Sequence, residues 1–139
     1  MDEVLIGKAA IIERCLGRVH QEYDGRESEL ETNFTRQDAL LLNLQRACEA
    51  AIDGAMHLVR VDRLGIPSDS RQAFTLLAQS GKIPSQLARN LEAMVGFRNI
   101  AVHNYRELDM NIVRSVIEHR LEDLNSFAAL MLQRAFEQV

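Results

Sequence analysis

The stretch PSQLARNLEAMVGFRNIAVHNYRELD, Pro84 to Asp109, bears on both what this chain folds into and where its chemistry sits. Pro84 stands at or near the first position of a helix, where its missing N–H leaves no bond unmade and its fixed φ suits the opening turn. Leu87, Leu91, Met94 and Val95 follow at steps of four, three and one, the single apolar stripe of an amphipathic helix. The next member of that series is a cation, Arg98. Arg106-Glu107-Leu108 then reads as a short turn, and Asp109 as the cap of a last helix. Helix, turn, helix, with no period-two alternation, predicts an all-helical protein.

The flanks agree. From about Asp2 to Tyr23, Leu5, Ala9, Ile12, Leu16, Val19 and Tyr23 form one stripe, and Asp24-Gly25 ends the helix. Arg26 to Asn33 reads as a charged surface loop. Thr35 is expected to cap a second helix running to about Arg63, with Phe34 stapling its entry and Asp38 favouring its dipole. Leu41, Leu44, Cys48, Ala51, Ile52, Ala55, Leu58 and Val59 are its buried side, and Ala47, Ala50, Ala51, Gly54 and Ala55 allow a close helix neighbour. Gly65-Ile66-Pro67 breaks the chain. Ser68 or Asp69 caps a third helix to about Gln79, and Gly81 suits the position just past its end. The last helix, with Val113, Val116, Ile117, Leu121, Leu124, Phe127, Ala128 and Met131 inward, is expected to reach about Gln138. The expected architecture is a single domain spanning 1–139, an up-and-down bundle of four to five helices that dimerises through its long helices.

Composition narrows the classes of function. No apolar run is long enough for a membrane span and no secretory leader is evident, so a cytoplasmic protein without a membrane partner is expected. Cys15 and Cys48 fall on apolar helical positions and read as buried thiols, not a disulfide or a metal pair. A net charge of −4 does not advertise nucleic-acid binding, yet the basic residues are 14 Arg against 2 Lys. That bias has two readings: the codon usage of the host, or phosphate or carboxylate recognition, since a guanidinium forks two N–H donors onto one anion.

Arg98-Asn99-Ile100-Ala101-Val102-His103-Asn104-Tyr105 places a permanent cation, an imidazole and a phenol in one segment. A histidine moves protons near neutral pH. Together these groups suit phosphodiester chemistry without a metal or other cofactor. On one straight helix Arg98 and His103 would point roughly 140° apart. They converge only if the helix bends or ends between them, or if a second copy supplies the partner group. Arg98, as a stripe member, has a second reading: a buried ion pair with Asp53 or Glu49. Glu49, Asp53 and His57, at four-residue steps, can be read as a metal or acid–base cluster or as a polar face. His20, His57 and His119 read as surface or interface residues.

With those residues in view the chain resembles the HEPN superfamily, and Arg98-x4-His103-x-Tyr105 is similar to its HepT toxin branch. The words Asn43-Leu44-Gln45-Arg46, Phe74-Thr75-Leu76-Leu77 and Met94-Val95-Gly96-Phe97-Arg98-Asn99 carry the resemblance across nearly the whole chain. It implies a metal-independent endoribonuclease acting as a homodimer, with Arg98 and His103 catalytic, Asn99 and Tyr105 supporting, and two motif copies facing one cleft. It also implies a toxin neutralised by an MNT-type nucleotidyltransferase antitoxin that transfers AMP onto Tyr105. Two rival readings remain: a non-catalytic helical module that binds a nucleotide or a partner, and a structural dimer in which the motif is an ion-pair cluster.

Overall fold

The computed structural model describes residues 1–137, and every regular element in them is helical. In chain order these are α1 (Glu3–Tyr23), α2 (Phe34–Val61), α3 (Ser70–Gln79), α4 (Ser85–His103), α5 (Met110–His119) and α6 (Leu121–Ala135). Single 3₁₀ turns occupy Glu27–Glu29 and Tyr105–Glu107.

Helix α2 is the axis of the molecule, packed against α1, α3, α4 and α6. Ion pairs at both ends show that α1 and α2 run antiparallel. Arg36, at the start of α2, meets Glu22 near the end of α1 at 2.8 Å; His57, near the end of α2, meets Asp2 before α1 at 2.8 Å. Asp2 also caps α1, its carboxylate accepting from the Val4 and Leu5 N–H groups, and its own N–H donates to the Ala135 carbonyl at 2.9 Å. Arg134 on α6 reaches Asp62 just past α2 at 2.5 Å. Between these polar ends lies a core of Leu, Ile, Val and Ala, in which Phe74 and Phe127 pack edge to face with centroids 5.4 Å apart.

The small residues of α2 are consumed inside the chain. Ala47, Ala50, Ala51, Gly54 and Ala55 are all buried, and a Cβ added at Gly54 would stand 2.2 Å from the Met131 sulfur of α6. At Gly54 the close neighbour is α6 of the same chain, with Lys8 Cβ of α1 at 3.8 Å, so these buried positions are covered within one chain and not open to a second copy.

Two expectations are corrected, and a third, the charged surface loop, gains an anchor. The cap of α2 is Asn33, not Thr35: its side-chain carbonyl accepts from the Arg36 N–H at 3.1 Å, and Phe34 is left 67% exposed instead of stapling the entry. The Arg26–Asn33 segment is pinned to the body, because Leu30 is buried and its carbonyl accepts from the buried Gln37 amide at 2.9 Å. The last helix is two, broken at Arg120 (φ −120°), which makes six helices in place of four to five. The apolar stripe from Val113 to Met131 runs through the break without a change of period, so it left no mark in the pattern. The end of α6 falls at Ala135, and Gln138, where the helix was expected to stop, lies outside the described residues. Elsewhere the signals hold: Asp69 caps α3, accepting from Gln72 N–H. Gly81 closes it at φ +72°, with Gly81 N–H bonded to the Ala78 carbonyl and Lys82 N–H to the Leu77 carbonyl.

Candidate functional site

Arg98 and His103 both belong to α4, and the helix continues through them to His103. They therefore diverge on one helix, and the described chain does not bring them together. Asn104 ends the helix, its N–H donating to the Ile100 carbonyl at 2.8 Å, and the Tyr105–Glu107 turn follows. A helix end frees the chain to change direction and presents side chains outward.

The Arg98 side chain is 17% exposed, and its Nη1 lies 3.1 Å from a Glu49 carboxylate oxygen on α2. Its Nε is buried without a hydrogen-bond partner. The ion-pair reading of Arg98 is thus realised with Glu49; Asp53 instead meets Lys8 on α1 at 3.2 Å. The pair leaves guanidinium N–H groups for a second anion, because one carboxylate cannot satisfy all five donors. Beside it, burial pushes the Cys48 thiol up to about 12, so it stays protonated and inert. Both cysteines are free and buried.

His103 and Tyr105 face solvent, Tyr105 being 46% exposed. The Tyr105 hydroxyl donates to Asp38 Oδ1 at 2.7 Å, a bond between residues 67 apart in the chain. That bond, with a smaller contribution from burial, holds the phenol above its ordinary pKa. Asn99 is half-buried on the same helix. Tyr23, the other tyrosine, is buried at 3% exposure, with its hydroxyl donating to Glu118 and accepting from Arg114. Only one of the two phenols is therefore open to a reagent.

The Glu49, Asp53 and His57 series does not form one cluster. Its members turn to Arg98, Lys8 and Asp2 respectively, and Arg60 also bonds the His57 ring at 3.1 Å. Among the described residues no group of three His, Cys, Asp or Glu side chains is placed to hold a metal ion. Sequence reasoning missed Asp38 as a site residue. It was legible only as a carboxylate favouring a helix start, since nothing local links it to a tyrosine 67 residues away.

An apolar groove of about 620 Å³ runs beside the motif between α4 and α5, lined by Met94, Phe97, Ile100, Leu108, Ile112 and Val116. Ile100 and Ile112 are 42% and 48% exposed.

Residues 12–131 match the family model described as ribonuclease HepT-like, and the chain belongs to that family. The mRNA nuclease HepT of Shewanella oneidensis is 51% identical over 127 residues, which is 91% of this chain and 95% of that one. The structure of tri-AMPylated S. oneidensis HEPN toxin in complex with MNT antitoxin superposes with a TM-score of 0.90 at 49% identity, covering 96% of this chain and 99% of that one. A toxin–antitoxin structure with AMP-PNP gives 0.90 at 48% identity, over 95% and 99%.

Proposed function

We propose that this protein is the toxin of a toxin–antitoxin pair, an endoribonuclease that cuts RNA through its own 2′-hydroxyl. The observation that carries the reading is the placement of Arg98 and His103 on one helix end, with the imidazole free in solvent, in a chain 51% identical to an mRNA nuclease. His103 takes the proton from the 2′-OH, which attacks the adjacent phosphorus. Arg98, with donors not engaged by Glu49, stabilises the charge that develops on the phosphoryl oxygens. A second imidazole is needed to protonate the departing 5′-oxygen, and His103 of the partner subunit supplies it in a homodimer. The products are a 2′,3′-cyclic phosphate and a 5′-OH. Asn99 supports Arg98 by its position beside it.

Dimerisation is also what convergence requires, because Arg98 and His103 diverge along α4. The face available for it is the groove with exposed Ile100 and Ile112, next to the motif and away from the filled α2 face. The partner that silences the toxin is an MNT-type nucleotidyltransferase that places AMP on Tyr105, the exposed phenol two residues from His103. The added negative charge repels RNA phosphates from the cleft. The pair works in the cytoplasm, and among the described residues no helix is long and apolar enough to cross a membrane.

The test is cleavage of single-stranded RNA by wild type, Arg98→Ala and His103→Ala. Each substitution lowers the rate by about 10²- to 10⁴-fold, DNA of the same sequence is untouched, and EDTA has no effect. Wild-type cleavage by His103→Ala overturns the mechanism. Unfolding of Arg98→Ala with cleavage retained by His103→Ala favours the structural reading of the Arg98–Glu49 pair.

A further inference from the structure

We infer that Asp38 is the proton acceptor and positioning group for nucleotide transfer onto Tyr105, an assignment that rests on Tyr105 being the acceptor. The contact is direct: Oη to Oδ1 is 2.7 Å, within the reach a general base must have to the proton it removes. It joins two independently held pieces of backbone. Asp38 sits in the second turn of α2, whose start is fixed by the Asn33 cap. Tyr105 opens a turn closed by Glu107 N–H to the Asn104 carbonyl at 2.9 Å and Leu108 N–H to the Tyr105 carbonyl at 3.2 Å. Among the described residues Tyr105 is the one side chain that Asp38 bonds, and no cation is paired with it, so its carboxylate is free to take a proton. Both residues are exposed, so a nucleoside triphosphate held by another protein can reach the phenol without unfolding this one.

The step balances as follows. The Tyr105 phenolic oxygen attacks the α-phosphorus of the nucleoside triphosphate, and a bond forms between them. The bond from that phosphorus to the bridging oxygen breaks, and pyrophosphate leaves with the electron pair. The phenolic proton passes to Asp38 and from there to water. A phenol is neutral, and so a poor nucleophile, at physiological pH, and the hydrogen bond to Asp38 raises the pKa of Tyr105 further. The same carboxylate that holds the proton in the resting state is placed to accept it during transfer. The charged residues adjoining Tyr105 along the chain are His103, Arg106 and Glu107, none of which bonds its hydroxyl.

The experiment incubates wild type, Asp38→Asn, Asp38→Glu and Tyr105→Phe with the MNT antitoxin of the S. oneidensis relative, ATP and magnesium. AMP addition is followed by intact mass across a pH series. Asp38→Asn, on an exposed position, keeps its helicity and melting temperature. It is modified about 10²-fold more slowly near neutral pH, and the gap narrows as rising pH ionises the phenol without help. Asp38→Glu restores part of the rate. Wild-type rates in Asp38→Asn, or a slowing that is the same at every pH and is not relieved by Asp38→Glu, overturn the role of Asp38 while leaving Tyr105 as acceptor. Labelling of Tyr105→Phe overturns the acceptor assignment itself.

Discussion

The two ends of α4 live in different surroundings. Its N-terminal three-quarters, with Leu87, Leu91, Met94 and Val95 inward, belongs to the body built on α2, where polar side chains are spent on holding helices together: Lys8 on Asp53, His57 on Asp2, Arg36 on Glu22, Arg134 on Asp62. Its last turn presents Val102 and His103 to water, followed by Tyr105. Arg98 sits on the boundary and belongs to both, held by Glu49 yet carrying donors in excess of what one carboxylate uses. The difference teaches where this fold can tolerate chemistry. Groups that bridge buried helices are fixed where a substrate cannot reach them, whereas a helix end turns side chains such as His103 and Tyr105 toward solvent.

That contrast can be broken from the body side. Gly54→Ala drives a methyl against the buried Met131 sulfur and should destabilise the monomer fold by about 1–3 kcal/mol, despite the better helix propensity of alanine. Denaturant melts measure the loss. Because the clash lies inside one chain, light scattering should show the same oligomeric state as wild type. A dissociated Gly54→Ala would place this face at a subunit interface and undo the division of labour between the two regions.

A smaller effect sharpens the same point. The hydrogen bond from Arg134, helped by the charges of Arg134 and Lys82, outweighs burial and holds the Asp62 carboxyl below its ordinary pKa. A depressed carboxylate contributes stability that is complete above the unfolded value near 4 and is lost as pH falls through the folded value. Wild type should therefore lose melting temperature in acid, and Asp62→Asn should start lower at pH 7 by roughly 1 kcal/mol and show a flatter acid limb. Thermal melts from pH 7 to pH 3 check it; an unchanged acid limb would mean that the α2–α6 ion pair holds nothing. The smallest effect is a gain. Arg63 occupies the left-handed region at φ 55° just past α2, a place where glycine is at ease. Arg63→Gly should stabilise by a few tenths of a kcal/mol, visible as a slight rise in melting temperature with no change in RNA cleavage.

Periodicity alone determined that the chain is helical, which residues are buried and roughly where each helix ends, because a stripe every three or four residues has one way to hide from water. The cluster of Arg98, His103 and Tyr105 and its likeness to HEPN toxins were equally legible, since all three lie within eight consecutive residues. The break at Arg120 was not, because the stripe from Val113 to Met131 keeps its period through a bend. The use of Gly54 by α6 was hidden for another reason: a small face states that something comes close, not what. The partners of polar side chains were decided only by the tertiary structure. Glu49 and Asp53 are one helical turn apart and interchangeable on paper, yet α4 reaches one and α1 the other. Asp38 finds Tyr105 across 67 residues of chain. Such pairings depend on how helices are set side by side in space, and local sequence carries no record of that distance.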